Sequence, residues 1–466
     1  MEPRGRQNLN RNTLTQSGLR TGNAGAKDKF DFKLELQTNS WLRIGLAAKD
    51  TKKKFCNLFC HFTVANLREA FHALDGSKAV GIDSITKDDY GQNLDSNLQG
   101  LVNRLHIGTY RPLPKKRKLI PKPDGKERPI AISAFEDKMV EWVSAKILTS
   151  IYEPLFIRNS FGFRPNRGAH DALKASYLSL KDNKRPHVVE IDLASFFDTV
   201  PHRKLIRLLR VRITDRRFRR LMMRFLKAGI MDHLGTLYEN ETGTPQGSIM
   251  SPVLANIYLH YALDSWFIEQ YASYDNIIVR YADDAIFAFK DKQTASDFKH
   301  ALKSRLEKYY LKLNEDKSGM IHFDKTQLNV FHFMGFTFCW AKTFKSSKRY
   351  LKIKTEKKRL FKKIQAFMEW IKLVRSRLPL DKIWEKAATK LQGHYNYYGV
   401  YTNQAKLNHF YYSVIGLLYK WLNRRSQKRS FTWEQFNRRL RFKPLPLPPK
   451  GAYLKPLIDR RKYAYQ

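Results

Sequence analysis

Tyr281-Ala282-Asp283-Asp284 sets two neighbouring carboxylates between two short β-prone apolar runs, Ile277–Arg280 and Ala285–Phe289. Like charges side by side in apolar company are unfavourable unless a cation joins them, and a divalent metal is the natural partner. Two strands joined by a tight acidic turn would project the pair from a sheet edge. Asp is also common in turns that do no chemistry, so the pair alone does not decide. A third acid adds weight: Asp192 ends another short apolar run, Val188-Val189-Glu190-Ile191-Asp192. Three carboxylates at strand ends suit two-metal phosphoryl transfer, in which hard oxygen ligands hold two Mg2+ ions (or Mn2+) roughly 3.5–4 Å apart. One ion would lower the pKa of a primer 3′-hydroxyl and the other would hold a triphosphate.

Other side chains fit the same chemistry. Phe197 follows Asp192 closely, and a bulky ring there could exclude a 2′-hydroxyl, although Phe196 and Phe197 also suit a core. Gly243-Thr244-Pro245-Gln246-Gly247-Ser248 is a glycine-punctuated loop opening a helix. Such a loop lets backbone approach a nucleotide, and Gln246 can bond sugar or base. Lys122 and Arg128 flank a Pro-Asp-Gly tip and could close over a triphosphate, Arg128 as a fork and Lys122 as a point charge. Lys317 could protonate pyrophosphate as a general acid. In so basic a chain each lysine also suits a solvated surface.

The elements that must position these groups can be read from periodicity. Helices are expected within 62–105, with Leu67, Phe71 and Leu74 on one face and Leu94, Leu98, Leu101 and Leu105 on another. Residues 117–133 read as strand, turn, strand, followed by helix over about 135–152 and strand over 188–192. Then come a basic helix over 203–230, an apolar helix over 252–271, the 277–289 hairpin and a helix over 294–311. A β-prone segment around Phe331–Phe338 leads to a long basic helix from about Lys354 to Arg377. Pro379 breaks it, and 381–439 read as a helical module rich in Tyr, Trp and Arg. Residues 1–29 read as a flexible basic extension.

Composition narrows the class of partner. The 86 Lys and Arg against 43 Asp and Glu give a net charge of +43, which calls for a polyanion, and nucleic acid fits better than a small acidic ligand. From Ala341 onward there are 32 cationic and 6 acidic residues, so the C-terminal quarter carries more than half of the excess. Arg and Lys alternating with aromatics over 395–441 suit phosphate contact plus stacking on unpaired bases, with Arg424, Arg425, Arg438 and Arg439 as candidate RNA contacts. No apolar run approaches 18 residues and no secretory signal opens the chain, so no membrane role is expected. Cys56, Cys60 and Cys339 are too few for a disulfide scaffold or a zinc site, and Cys56 and Cys60 suit core packing on one helical face.

The motifs in this order resemble the group II intron-encoded reverse transcriptase–maturases. The likeness runs through Leu119–Ile132, Asn159–Gly168, Val188–His202, Gly243–Leu263, Ile278–Phe289, Leu311–Lys317 and Phe333–Phe336. Ala79–Asp83 resembles the family's N-terminal extension, and Leu391–Gly399 and Trp421–Ser426 its maturase (X) domain. The resemblance implies an α+β right-hand polymerase. Fingers and a palm with an antiparallel sheet would occupy 30–345, a helical thumb 346–378, and an α-helical maturase domain with a Pro-rich basic tail 379–466. It implies Asp192, Asp283 and Asp284 as metal ligands, Lys122, Arg128, Phe197 and Gln246 as the dNTP pocket, Lys317 as the motif-D lysine, and Phe333–Phe338 as the primer grip. It also implies intron RNA, target DNA, a primer strand and dNTPs as partners, with no protein partner, in a bacterial cytoplasm and associated with the nucleoid or a ribonucleoprotein. No HNH endonuclease pattern follows the maturase blocks, as in the endonuclease-lacking type. Two other readings stay open: a splicing-only maturase, against which the intact acids argue, and a host-adopted enzyme of defence or repair, which flanking DNA would distinguish.

Overall fold

The computed structural model describes residues 39–121, 127–239, 241–272, 275–343, 346–425 and 431–450. The expected 1–29 extension, Lys122 and the Pro-Asp-Gly tip lie outside the described residues. In chain order the strands are β1 (Lys115–Pro121), β2 (Glu127–Ile132), β3 (His187–Asp192), β4 (Ile230–Met231), β5 (Leu237–Tyr238) and β6 (Ile277–Tyr281). They continue with β7 (Asp284–Phe289), β8 (Gly319–His322), β9 (Phe331–Phe333), β10 (Phe336–Thr343) and β11 (Ser346–Thr355). Three sheets result, ordered β2-β1-β4-β5, β6-β7-β3-β8 and β11-β10-β9. With helices dominating the remainder, the chain is α+β.

The antiparallel sheet β6-β7-β3-β8 is buried on both faces, and strand periodicity sorts its side chains between two cores. Val189, Ile191, Phe287 and Phe289 face one core, where the tilted rings of Phe287 and Phe298 pack with centroids 4.5 Å apart. Val188, Val279, Ile286 and Ala288 face the other, shared with Phe331, Phe338, Leu391 and Val414. Asp192 has the parity of Val188, and Asp284 that of Ile286. Alternation alone therefore sends both carboxylates to the second face.

One buried ion pair locks the β6–β7 hairpin. Arg280 and Asp264 are both wholly buried. Arg280 donates through Nε to Asp264 Oδ1 at 2.7 Å and through Nη2 to Oδ2 at 2.5 Å. Its Nη1 reaches Asn256 Oδ1 at 3.0 Å and the Ala282 carbonyl at 2.9 Å. Asn256 in turn donates to the Gly162 carbonyl at 2.7 Å. Gly162 lies so close to the Ala282 backbone that a Cβ there would clash with it. Asp264 reaches Arg280 from a π turn, His260–Asp264, that interrupts the apolar helix expected over 252–271. Single π turns of this kind re-aim side chains inside helices.

Several elements depart from expectation. The basic helix expected over 203–230 is two helices, His202–Arg212 and Arg216–Lys227. Asp215 separates them, capping the second by accepting from the Phe218 N–H at 3.0 Å while its other oxygen accepts from Leu58 N–H at 2.6 Å. The long helix expected from Lys354 begins at Lys357, and β11 precedes it with Leu351, Ile353 and Thr355 inward. The boundary expected between 345 and 346 lies between β10 and β11, which pair with each other. The helices Lys357–Val374 and Gln404–Leu422 pack on each other across the boundary drawn at 379, in the same core that covers β3 and β7. Cys56 and Cys60 are exposed while Phe55, Leu58 and Phe59 are buried, because this stretch forms a bridge and a short 3-10 turn rather than a helical face.

The ion pair makes a direct prediction. Asp264→Ala strands a buried guanidinium and should lower unfolding free energy by roughly 3–5 kcal/mol in urea titrations. The double variant Asp264→Leu/Arg280→Met should recover most of it. A single-variant loss under about 1 kcal/mol would show that the pair does not hold the hairpin.

Candidate active site

Register brings the acids together. Asp192 on β3 stands directly opposite Asp284 on β7, and Tyr281 opposite Asp284 closes the two-residue loop Ala282-Asp283. Ala282 is left-handed, with φ 56°. Like charges directly opposite on a sheet repel, so the pair is an unfavourable feature of the metal-free fold. The electrostatics agree. Burial first, then the Asp192 and Asp283 charges, push Asp284 up to about 7, against the hydrogen bond its Oδ2 accepts from Met334 N–H at 3.3 Å. Asp283 is raised by burial and, less, by Asp192, while Lys317 and Arg128 pull the other way.

Lys317 Nζ lies 2.9 Å from Asp192 Oδ2, and Asn314 Nδ2 donates to the same oxygen at 3.1 Å. Among the described residues no three His, Cys, Asp or Glu side chains already converge on a metal-sized point. The donor set still fits Mg2+, which takes one or two carboxylates and completes its shell with water and substrate phosphate rather than requiring a closed protein cage.

The nucleotide-side residues gather on connected backbone. The Ala131 N–H of β2 donates to the Gln246 carbonyl at 2.7 Å, and Thr244 N–H to the Phe197 carbonyl at 2.6 Å. Gly247 has φ +112°, and a Cβ there would lie 2.6 Å from Ala131 O, so only glycine permits this contact. Phe196 is core, as one of the pair was expected to be, while Phe197 is half-buried with its ring edge-on to Phe163 at 6.4 Å. Arg128 stands exposed on β2.

The acids open onto a cleft of about 840 Å³. Phe163, Met334 and Gly335 line it beside the acids, and Arg359, Lys363 and Lys390 line its helical wall. Met334-Gly335 is the two-residue turn between β9 and β10, with both φ positive (53° and 76°), as a type I′ hairpin requires. Tyr397 donates to the Met334 carbonyl at 3.0 Å, tying this turn to the helix Leu380–Tyr398. Tyr395 and Tyr398 are core.

Sequence reasoning gave no role to several residues that build this site. Glu190, two residues before Asp192, is pushed up to about 8 by burial while it accepts from the His332 N–H. Glu141, wholly buried, holds Lys115 Nζ at 2.5 Å, Ser133 Oγ at 2.9 Å and Ile249 N–H at 2.9 Å, so it joins β1, the end of β2 and the glycine loop. A lone Glu in an apolar helical stretch was the available signal. Phe163 has φ 57°, a strain that no residue type announces.

The four candidate RNA-contacting arginines are dispersed. Arg424 stacks on Trp421 with the guanidinium 5.1 Å from the ring, and Arg425 donates to the Leu378 carbonyl at 3.3 Å. Arg439 pairs with Asp381 at 2.8 Å and lies over Trp384, so it has a structural use of its own. Arg438 is exposed. No helix among the described residues is long and apolar enough to cross a membrane.

Comparison with known proteins agrees with this geometry. Residues 120–338 match the family model described as reverse transcriptase (RNA-dependent DNA polymerase), a span that holds all three acids, Phe197, Gln246 and Lys317. The chain is 39% identical over 201 residues to Protein YkfC of Escherichia coli, an alignment covering 42% of this chain and 52% of that one. It is 36% identical over 207 residues to the group II intron-encoded protein LtrA of Lactococcus lactis, covering 44% of this chain and 34% of LtrA. It is 40% identical over 170 residues to an uncharacterized 91 kDa protein in the cob intron of Schizosaccharomyces pombe, covering 36% and 21%. The chain spans about half the length, or less, of these relatives. Its acidic hairpin, its β3 strand and its Pro-Gln-Gly loop all lie inside the matched span, and the chain carries a reverse transcriptase domain related to those of the group II intron-encoded reverse transcriptase–maturases.

Proposed function

We propose that this chain is an RNA-directed DNA polymerase that binds a group II intron RNA, assists its splicing and copies it into DNA during retrohoming. The observation that carries the reading is the direct cross-strand pairing of Asp192 with Asp284, with Asp283 at the adjoining tip, on the floor of a cleft walled by cationic helices. In right-hand terms, β6-β7-β3-β8 is the palm sheet, β1–β2 the fingers ribbon, the β9–β10 turn the primer grip, and the helices after Glu356 the thumb and maturase module.

Asp192, Asp283 and Asp284 would hold two Mg2+ ions, which when bound activate the primer hydroxyl and steady the triphosphate. The protein's own groups do the rest. Arg128 reaches toward the phosphates from β2, and Lys122, outside the described residues, is proposed to share that role. Gln246, fixed through its backbone to Ala131, faces the incoming nucleotide. Phe197, backed by Phe163, fills the space a 2′-hydroxyl would need. The Met334-Gly335 turn orients the primer end, and Tyr397 and Glu356 hold that turn by its carbonyls. Lys317 is exposed at its tip and already beside the acids, so it can deliver a proton to the leaving pyrophosphate.

Primer extension on an RNA template tests the reading. Asp283→Ala should lower the rate by on the order of 10³ while leaving RNA affinity intact. Retained synthesis would remove the acids from the chemistry, and wild-type RNA binding with no synthesis would leave a splicing-only maturase. Phe197→Ala should relax discrimination against ribonucleotides by about 10–200-fold in the ratio of kcat/KM values. An unchanged ratio would mean the ring only packs.

A further inference from the structure

The helices His202–Arg212 and Arg216–Lys227 hold eleven Lys and Arg residues, and the one acid in the stretch, Asp215, lies between them. Asp215 is committed to capping, with its two oxygens on the Phe218 and Leu58 N–H groups. None of the eleven cations ion-pairs with a carboxylate among the described residues. Elsewhere basic residues do find acids, as Arg104 does on Glu136 and Arg185 on Asp275.

Arg212 is buried, with its guanidinium on the carbonyls of Thr51 and Ala48, and the other ten cations are ordered on the surface. Arg203, Arg207 and Arg210 fall at helical spacing on the exposed side of the first helix, and Arg216, Arg220 and Lys227 on that of the second. The two rows meet at Arg219, whose pKa is lowered by partial burial and by the Arg210 and Arg216 charges. Arg224 is lowered likewise, by burial and by Arg111 and Arg220, so the field continues onto the segment after the helix Leu94–Ile107. Arg217 and Arg224 are steadied on backbone, on the carbonyls of His106 and of Tyr110.

The opposite faces are fully used. Leu205, Leu209, Phe218, Leu221, Met222 and Phe225 are buried in the first core, so neither helix has an apolar face left to enter a bilayer. None of the eleven lines the cleft at the acids. Eight of the ten surface cations are arginine, whose planar fork suits phosphate oxygens. An array of uncompensated guanidinium groups on a rigid, well-packed helix pair is the footprint of a nucleic-acid backbone.

We propose that this two-helix face docks the phosphodiester backbone of a folded RNA, apart from the polymerase cleft. The choice of RNA rests on the RNA-binding part of the proposed function. The face then serves as an anchor: it would hold a structured RNA while the cleft stays open to primer and template.

The test uses the full chain and a variant, Arg203→Gln/Arg207→Gln/Arg210→Gln/Arg216→Gln, with a charge-keeping control carrying Lys at the same four positions. Binding to a long RNA hairpin, to a DNA duplex of equal length and to phosphatidylserine vesicles is followed across salt, alongside extension of a short RNA-templated primer. For the Gln variant the slope of log affinity against log salt on RNA should fall by about 3. The Lys control should keep the wild-type slope, and kcat and KM for the short primer–template should stay within twofold in both. An unchanged RNA slope in the Gln variant overturns the face and leaves the polymerase reading standing. A wild type that extends no primer, with the RNA slope still lost in the variant, upholds the face and overturns the polymerase. Loss confined to the DNA duplex or to the vesicles overturns RNA as the ligand, and equal loss in the Lys control overturns the charge mechanism.

Discussion

Two carboxylates held opposite each other at the end of a buried sheet are what the rest of the structure must sustain. Asp192 and Asp284 repel, and burial pushes Asp284 up to about 7, so the unaided hairpin would gain by moving apart. Three devices prevent it. Arg280 is clamped by Asp264 and holds the Ala282 carbonyl from below. Gly162 lets a second chain segment press on the tip. Lys317 and Asn314 neutralise and orient Asp192 from the side. Strain held at one point by over-determined surroundings is the usual signature of a working site.

The same sheet explains why the cleft has walls. Because β3 and β7 are buried on both faces, the helices after Glu356 are not an appendage. Their apolar stripes, through Leu391 and Val414, complete the core that β3 and β7 begin. Tyr397 then reaches from the helix Leu380–Tyr398 to the Met334 carbonyl, while Met334 N–H donates to Asp284. A chain of two hydrogen bonds thus links the helical wall to a carboxylate. Any movement of that wall is felt at the acids, which couples whatever the helices grip to the geometry of the floor.

Much of this was legible from types and spacing. Apolar runs ending in acids fixed β3 and the β6–β7 hairpin, since period-2 burial and a two-residue turn leave few alternatives. The helix Phe135–Tyr152 matched its expected bounds because its apolar periodicity is unbroken. The failures have physical causes. β11 was hidden because its outward positions are Lys and Tyr, so a basic strand resembled the start of the basic helix that follows. The break at Asp215 was passed over because basic helical residues continue on both sides of it, although Asp is itself an N-cap signal; what only the fold shows is the second bond, from Leu58 N–H. Glu141 and Arg280 were passed over because a single charge in an apolar run reads as an interruption, and only the fold shows which buried partner it meets.

Charge ties the parts together. The acids are scarce, and many have structural work: Asp264 and Glu141 are buried in ion pairs, Asp215 caps a helix, and Asp381 holds Arg439 and Lys443. Three more sit in the cleft. Even all 43 carboxylates would offset only half of the 86 basic side chains, and these seven are already committed. Self-repulsion of that size weakens a compact chain unless counterions collect on it. A polyanion supplies them in one piece, and releasing its own condensed ions makes the exchange favourable. The excess positive charge thus favours contact with a polyanion, over more surface than the cleft alone presents.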